Sequence, residues 1–334
     1  MRPFSPYFRN PHLATLAGNF WKRPADEVRF PARQVLYPGE PGTQVLVEEN
    51  RPQGVPRGEV FLMHGLEGSS RSGYMLSMGL ELARAGFVAH RVNMRSCGGT
   101  EHLTPTLYHS GLTVDLRTLL EAFHAQGRGP LFLVGYSLGG NVVLKLAGEL
   151  ADRAKGLIAG VCAVSTPIDL HACVRAIGKR SNWLYEQRFV KRLCERYRRR
   201  HAVAPERFPL DGIDRVRTIY QFDDRFTAKA FGFGDAANYY RTQSSLGFLA
   251  SIRVPTLLVQ AKDDPMVPFE IFTGDEVRSN PDLTLVATGH GGHLGFISRS
   301  LPRFWADELL AGWISSHAGR TNSEQTGTLH RLCE

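Results

Sequence analysis

Short runs of almost wholly apolar residues alternate with helical stretches along most of the chain, and this alternation restricts the fold more than any other feature. Strands that are apolar along their whole length are typical of parallel sheets covered by helices on both faces. The sequence therefore predicts an α/β fold with a mostly parallel central sheet. Strands are predicted at residues 58–65, 86–93, 130–135, 156–164, 255–261 and 284–287, and helices at residues 75–85, 112–123, 141–150 and 301–314.

The alternation is interrupted between residues 169 and 248, where the chain is aromatic, rich in arginine and mostly helical in pattern. An interruption of this length indicates an inserted helical lid. Before residue 56 the chain is rich in proline and glycine, with one strand-like run at residues 43–48. The predicted parts are an N-terminal extension packed on the core (1–55), the first half of the core (56–168), the lid (169–248), the second half of the core (249–317) and a disordered tail (318–334).

The composition is that of a globular protein with a large core, since 43% of the 334 residues are hydrophobic and 22% are charged. No apolar run reaches the roughly 20 residues of a membrane-spanning helix, and the first residues lack the apolar stretch of a signal peptide. The five cysteines are scattered, so neither a disulfide framework nor a zinc site is indicated. We therefore expect a cytoplasmic protein, and no cofactor is predicted.

The net charge of +8 is partly due to a basic segment at residues 188–201. As a helix, this segment places Val190, Leu193, Cys194 and Tyr197 on one face and arginines and lysines around the other. The pattern is typical of a solvated amphipathic helix, and also of a peripheral contact with an anionic membrane surface or an acidic substrate. The sequence contains no nucleic-acid-binding motif, and it does not indicate an oligomeric state.

Residues 135–139 read Gly-Tyr-Ser-Leu-Gly and fit the pattern G-x-S-x-G. The pattern is short, but an apolar strand precedes it and a helical run follows it, which is the context that a nucleophilic serine requires. In such a tight turn, a side chain at Gly135 or Gly139 would collide with neighbouring backbone. Ser137 is therefore the candidate nucleophile.

A serine hydroxyl is a weak nucleophile at neutral pH, so it needs a base that is oriented by an acid. Asp263 and Asp264 follow a predicted strand, and Asp264 is preferred because it begins the sequence D-P-x-V-P. A glycine-rich loop after the last strand contains His290 and His293, and His293 is preferred because L-G-F and a helix follow it. A metal ion held by these carboxylates and imidazoles is an alternative, but it leaves the serine turn unexplained.

Backbone N–H groups are expected to stabilise the negative charge that develops on a substrate oxygen. The amide of Leu138 is one expected donor, because it lies directly after Ser137 at the start of a helix. The other is expected in the glycine-rich loop after the first predicted core strand, where Leu66 is the candidate. In the same loop, His64 is interpreted as a residue that braces the backbone.

Eight longer motifs occur in a fixed order along the chain, and together they resemble one family of enzymes. They are NPHLATL from Asn10, HGLEGSSRSGY from His64, NMRSCGGT from Asn93, LYHSGLTVDLR from Leu107, GYSLGGNVVLK from Gly135, YYRTQSS from Tyr239, and AKDDPMVP with GGHLGF near the end. From about residue 5 to residue 317, the chain resembles the α/β-hydrolase superfamily and, within it, the YheT-like hydrolases related to the ABHD1/ABHD3-type esterases and phospholipases.

The resemblance implies a serine hydrolase of small-molecule acyl esters, with Ser137 as nucleophile, Asp264 as acid and His293 as base. Near the site the chain departs from the family pattern, since Ser96 replaces a glycine in Arg-Gly-Cys. An acyltransferase with the same three residues and a non-catalytic binding protein on this scaffold are the alternatives, and the second of these predicts a broken triad. Aromatic residues of the lid are expected to line an acyl pocket or to form the core of the lid: Phe222, Phe226, Phe231, Phe233, Tyr239 and Tyr240.

Overall fold

The computed structural model describes residues 2–23 and 27–330, with side chains through residue 319. Within this part of the chain, eight strands form a single sheet. The strands are β1 (Ala32–Pro38), β2 (Gln44–Asn50), β3 (Glu59–Met63), β4 (Val88–Val92), β5 (Leu131–Tyr136), β6 (Gly160–Val164), β7 (Thr256–Ala261) and β8 (Leu283–Thr288). Their order across the sheet is β1-β2-β4-β3-β5-β6-β7-β8.

The sheet is parallel from β4 to β8, and antiparallel only where β2 joins β4 and β1 joins β2. Every residue of β3, β4, β5, β6 and β7 is buried. Burial on both faces explains why these strands are apolar along almost their whole length. The predicted fold class, an α/β fold with a mostly parallel sheet, is confirmed.

Helices are interspersed with these strands, and those of the core cover both faces of the sheet. They are α1 (Pro11–Phe20), α2 (Gly73–Arg84), α3 (Val114–Ala125), α4 (Leu138–Leu150), α5 (Leu170–Ile177), α6 (Trp183–Val203), α7 (Ile219–Phe222), α8 (Ala228–Ala230), α9 (Ala236–Gln243), α10 (Asp275–Arg278) and α11 (Trp305–His330). Strand β3 contributes to both cores, because successive side chains point to opposite faces. Val60 and Leu62 pack under α2 and α11, whereas Phe61 and Met63 pack under α3 and α4.

The N-terminal residues contain more regular structure than the sequence predicts. One strand is predicted there, but β1 and β2 both join the central sheet. Strand β1 is an exposed edge strand, so its sequence lacks a buried apolar face that would reveal it. Helix α1 begins after Asn10, whose side chain accepts the N–H groups of His12 and Leu13, and Pro11 occupies its first position.

Two predicted elements begin later than expected. Strand β6 starts at Gly160 because residues 151–156 form a 3₁₀ turn. Helix α11 starts at Trp305, beyond Pro302, which restricts the backbone of the residue before it. Helix α11 is assigned as far as His330, but side chains from residue 320 on lie outside the described part of the chain, so the disordered tail at 318–334 stays a prediction.

Between β6 and β7 the chain folds into helices α5 to α9, in the segment predicted to be a lid. The apolar face predicted for the basic segment is confirmed, since all four of its side chains are buried in α6. The opposite face is not wholly solvated, because Arg196 and Arg200 are buried and bonded to Glu67 and to the carbonyl of Glu101. The boundaries of the five predicted parts stay predictions. Among the described residues, no helix is both long enough and apolar enough to span a bilayer.

A buried guanidinium joins three parts of the structure. Arg91 in β4 donates to the Glu48 carboxylate of β2 at 3.1 Å, to the Asn50 side chain at 2.9 Å and to the Ser70 carbonyl at 2.5 Å. The exposed Arg71 contacts the same Glu48 carboxylate at 2.9 Å. Two arginines therefore share one carboxylate, and they differ mainly in burial.

We expect Arg91→Met to lower the free energy of unfolding by about 3–5 kcal/mol, because the substitution removes the buried partner of a buried charge. Arg71→Met is the matched control, and we expect a loss of no more than about 1 kcal/mol, because water and salt screen an exposed pair. Urea denaturation of the two variants measures the difference. Equal losses would contradict the structural role assigned to Arg91.

Candidate active site

Ser137 lies between β5 and α4, in a backbone conformation that non-glycine residues seldom adopt. Its φ of 52° and ψ of −122° are those of a strained turn. Its N–H group donates to the Val164 carbonyl of β6 at 2.8 Å, which anchors the turn to the sheet. The strain is thus held by hydrogen bonding and packing, as a serine exposed above a strand end requires.

The two glycines that flank Ser137 are required by close backbone contacts. A Cβ atom on Gly135 would lie 2.3 Å from the Gly139 carbonyl oxygen, and one on Gly139 would lie 2.3 Å from the Met63 carbonyl oxygen. Both distances are far inside van der Waals contact. The collision predicted for a side chain at either glycine is confirmed.

An unbroken series of hydrogen bonds links Ser137 to a buried carboxylate. The Ser137 hydroxyl lies 3.0 Å from His293 Nε2, and His293 Nδ1 lies 2.9 Å from Asp264 Oδ2. The other carboxylate oxygen of Asp264 accepts the N–H groups of Met266 and Val267. Since Asp264 accepts at Nδ1, the neutral imidazole carries its proton there and presents an unprotonated Nε2 to the serine.

The alternative residues form a second pair beside this series. Asp263 accepts a hydrogen bond from His290 Nδ1 at 3.1 Å and one from the Gly292 N–H group at 2.9 Å. The carboxylate of Asp263 therefore fastens the loop that carries His293. Among the described residues, no group of three or more His, Cys, Asp or Glu side chains is arranged to hold a metal ion.

The two expected oxyanion donors line the same cavity as Ser137. Leu138 is the first residue of α4, where N–H groups have no carbonyl partner one turn earlier in the helix. The amides on either side of Leu66 are engaged, since the Gly65 N–H group donates to the Tyr74 hydroxyl and the Glu67 N–H group to the Tyr108 hydroxyl. Leu66 is thus held between two fixed peptide groups.

His64 has the contacts of a bracing residue. Its Nδ1 donates to the Gly65 carbonyl at 2.8 Å, and its Nε2 accepts the Met94 N–H group at 3.1 Å. Burial lowers the pKa of His64 to about 4, so the ring is neutral at physiological pH. Both ring nitrogens form hydrogen bonds with backbone groups, so neither is available to Ser137.

Helix α1 supports the loop at residues 289–296, which carries His293 and is called the histidine loop below. The sequence did not predict this contact. The Thr15 hydroxyl accepts the N–H group of His293 at 2.9 Å. A Cβ atom on Gly295 would lie 2.1 Å from the Ala14 carbonyl oxygen, and one on Gly18 would lie 2.6 Å from Gly295 Cα. The backbones of α1 and the loop therefore touch. The glycines of the GGHLGF motif were the available signal, because such a density of glycine indicates close backbone approach.

Two cavities meet at Ser137. The inner cavity, with about 740 Å³ of empty space, extends under the lid segment. The outer groove, with about 1380 Å³, lies between α1 and α6. Both are bounded by Leu66, Phe189, Met266 and His293 as well as by the serine. Ser137 thus lies where two adjoining spaces meet, one under the lid segment and one between α1 and α6.

The inner cavity is mostly apolar, with a few polar side chains in its lining. Its apolar wall is formed by Leu170, Val174, Ile177 and Ile219, among others. Burial lowers the pKa of His109 to about 3, so this ring faces the cavity uncharged. The predicted aromatic residues divide between two roles. Tyr239 and Tyr240 line the cavity, Phe222 and Phe226 pack inside the lid, and Phe231 and Phe233 lie against His109.

We expect Gly295→Ala to lower the free energy of unfolding by about 1–3 kcal/mol and to displace the histidine loop, because the new methyl group would overlap α1. Gly289→Ala is the matched control in the same loop, since a Cβ atom at Gly289 meets no atom within 4 Å. Urea denaturation measures stability, and the rate at which a fluorophosphonate labels Ser137 measures the position of His293. Similar results for the two variants would contradict the contact between α1 and the loop.

Comparison with other sequences places the chain among hydrolases. A profile described as the alpha/beta hydrolase fold matches residues 59–300. The Escherichia coli (strain K12) protein YheT, which is named as an esterase, is 31% identical over 316 residues, 93% of this chain and 92% of that protein. A yeast monoacylglycerol lipase is 32% identical and the mouse phospholipase ABHD3 29% identical, but the alignments span only 58% and 60% of those proteins and 76% and 74% of this chain.

Solved structures share the fold at much lower identity. The Pyrococcus furiosus esterase Pf2001 superposes with a TM-score of 0.55 at 15% identity, over 96% of this chain and 99% of that chain. A serine hydrolase from Cycloclasticus zankles superposes with a TM-score of 0.57 at 16% identity, over 85% and 98% of the two chains. At such identities the likeness concerns the fold alone. The sequence matches carry the assignment further: the chain belongs to the α/β-hydrolase family and, within it, to the YheT-like hydrolases.

Proposed function

We propose that the protein is a serine hydrolase that cleaves carboxylic esters of acyl chains through an acyl-enzyme on Ser137. The observation that carries the proposal is the hydrogen-bonded series from Ser137 through His293 to Asp264, at the point where two cavities meet. Relatives named as an esterase, a phospholipase and a monoacylglycerol lipase support ester hydrolysis at the level of the family. An intact series of this kind also disfavours a purely binding role.

The first half of the reaction transfers the acyl group to the enzyme. His293 Nε2 takes the hydroxyl proton as Ser137 Oγ attacks the ester carbonyl carbon. The carbonyl oxygen becomes an oxyanion, which the amides of Leu66 and Leu138 stabilise. The bond to the alcohol oxygen then breaks, and His293 donates the proton to the departing alcohol.

The second half releases the acid. Water enters, His293 removes one of its protons, and the resulting hydroxide attacks the acyl carbon under the same two amides. Collapse of the intermediate returns the proton to Ser137 Oγ and frees the carboxylic acid. Asp264 keeps the imidazole in the required tautomer and stabilises the imidazolium that forms in each step.

The two cavities suggest where the parts of the ester bind. The inner cavity has the apolar walls that an acyl chain requires, and its entrance is bordered by Leu66 and Ser137. The outer groove accommodates the alcohol part and gives it a route to solvent. Helices α5 and α6 close the inner cavity, so the lid segment at residues 169–248 selects the acyl chain in this proposal.

Transfer of the acyl group to an alcohol instead of water is the second candidate. A yeast relative named medium-chain fatty acid ethyl ester synthase/esterase 2 is 28% identical over 302 residues, 80% of this chain and 64% of that protein. The outer groove is large enough for an alcohol to approach the acyl-enzyme. Product analysis in the presence of ethanol separates the two reactions, because the transferase forms an ethyl ester and the hydrolase a free acid.

We expect Ser137→Ala to lower kcat on nitrophenyl esters by a factor on the order of 10⁴–10⁶, because the residues of such a series act as a unit. The same substitution should remove the fluorophosphonate adduct, and mass spectrometry of the labelled wild-type chain tests whether the adduct lies on Ser137. A series of nitrophenyl esters of increasing acyl length measures the size of the inner cavity.

Ser181→Ala is the control, since Ser181 lines the outer groove without contacting His293. This variant should keep both the adduct and most of the activity. An adduct on another residue, or full activity in Ser137→Ala, would rule out the proposed acyl-enzyme.

A further inference from the structure

We propose that the rim of the outer groove docks on an anionic lipid surface, and the proposal rests on the function proposed above. Exposed apolar side chains from two helices form this rim. They are Leu13 (53% exposed), Leu16 (43%) and Phe20 (66%) on α1, and Trp183 (57%) and Leu184 (74%) at the start of α6. Leu16 and Leu184 line the same groove, so the two sets adjoin.

The spacing on α1 shows a helix with two apolar faces. Ala14, Thr15 and Gly18 face the protein and contact the histidine loop. Leu13, Leu16 and Phe20 recur at helical spacing on the opposite side, where their side chains are exposed. Single exposed apolar residues are common on protein surfaces, but a cluster at the mouth of a cavity marks an interaction site.

Cations surround the apolar rim. Arg188 and Arg192 line the outer groove, and the Arg188 guanidinium lies 5.2 Å from the centre of the Phe20 ring. Lys179 and Arg180 are exposed in the short segment between α5 and α6, four and three positions before Trp183. Each cation close to an anionic bilayer contributes about 1 kcal/mol of attraction. The sequence predicted a membrane contact through the whole basic segment at 188–201. Because Arg196 and Arg200 are buried, this proposal assigns the contact to the first residues of that segment.

The positive charge around the rim favours an anionic lipid surface, rather than a second copy of the chain, as the partner that covers it. In a twofold dimer the same patch faces itself, so the cations of one rim would oppose those of the other. An anionic lipid surface instead complements these cations, and its acyl region accepts the apolar side chains. Docking would place the outer groove against the source of a water-insoluble ester.

Co-sedimentation with vesicles of phosphatidylcholine, with and without phosphatidylglycerol, tests the docking at low and high salt. We expect binding to the mixed vesicles that weakens as salt rises. The double variant Phe20→Ser/Trp183→Ser should bind at least about tenfold more weakly, because two exposed apolar side chains can no longer insert into the lipid. Lys179→Gln/Arg180→Gln should reduce the preference for phosphatidylglycerol. Val55→Ser/Leu301→Ser, which alters exposed apolar residues elsewhere, should bind as the wild type does.

Hydrolysis of nitrophenyl acetate distinguishes failure of this proposal from failure of the proposed function. The four substituted positions Phe20, Trp183, Lys179 and Arg180 do not line either cavity, so their variants should keep the wild-type rate on this soluble ester. Absence of vesicle binding by an active wild type, equal losses in the control variant, or a dimer that the Phe20 and Trp183 substitutions dissociate would overturn the docking. An inactive protein that still binds vesicles would overturn the proposed function alone.

A buried ion pair carries a second inference, independent of the rim. We infer that Arg196 of α6 is a positioning residue for the Leu66 amide. Arg196 Nε lies 2.6 Å from Glu67 Oε1, and both side chains are almost fully buried. The Tyr108 hydroxyl donates to the same carboxylate oxygen at 3.0 Å, and the guanidinium lies 4.6 Å from the Tyr108 ring centre. The lid segment is thereby joined to the residue directly after Leu66.

Glu67 has a strained backbone that needs such support. Its φ is 55°, in the left-handed region that favours glycine. A conformation of this kind persists only where its surroundings hold it, and here the Glu67 side chain and N–H group are both bound. Helix α6 also contributes Phe189 to both cavities. The same helix therefore borders the proposed substrate site and holds residues 65–68, which are called the oxyanion loop below.

Arg196→Met tests this positioning, with Arg200→Met as the matched control. Arg200 is equally buried on α6, but it bonds to the Glu101 carbonyl, outside the oxyanion loop. We expect kcat on nitrophenyl acetate to fall at least about tenfold in Arg196→Met with little change in KM, because an oxyanion donor acts mainly in the transition state. Arg196→Lys should restore part of the rate. Arg200→Met should lose stability and keep kcat.

Hydrogen exchange of the amides at residues 65–68 supplies a readout that does not require activity. Exchange should quicken in Arg196→Met and in Glu67→Gln, a variant that keeps the size of the side chain, and it should not change in Arg200→Met. Unchanged exchange, or an unchanged kcat in a folded Arg196→Met, would overturn the inference. If the wild-type protein had no esterase activity and exchange still quickened in Arg196→Met, the inference would stand and the proposed function would be contradicted.

Discussion

The close approach of backbone to backbone around Ser137 is the constraint on which the site depends. Gly139 allows α4 to begin against the carbonyl group of Met63 at the end of β3, and Gly135 allows the chain to turn directly back over itself. The serine is then carried above the sheet edge, where loops from other strands also end. Without these contacts, neither the imidazole nor the amides that surround the hydroxyl would have a fixed target.

The central strands and the residues around Ser137 were predictable because local sequence determines them. Strands buried on both faces are continuously apolar, and a serine turn needs glycines at fixed positions. Asp264 and His293 were chosen from the residues that follow them in the sequence. The structure brings these two residues, rather than Asp263 and His290, towards Ser137. The pair of Asp263 and His290 has a structural role, since Asp263 binds the loop that carries His293.

Two features escaped prediction because the local sequence carries no signal for them. Strand β1 is an exposed edge whose residues carry no periodic apolar signal. The burial of Arg196 depends on a carboxylate 129 positions earlier in the sequence. Hydrophobic periodicity reports which face of a helix is apolar, but it does not report whether a charged side chain on another face meets a buried partner. Such pairings arise only when the fold is complete.

The support of the histidine loop by α1 links two parts of the chain that are far apart in sequence. The Thr15 hydroxyl and the His293 amide are 278 positions apart along the chain. Contacts between such remote segments close late, because the intervening loop must first be ordered. During synthesis, α1 therefore leaves the ribosome long before its partner exists, and the loop that carries His293 acquires this support only after the residues between them have been translated.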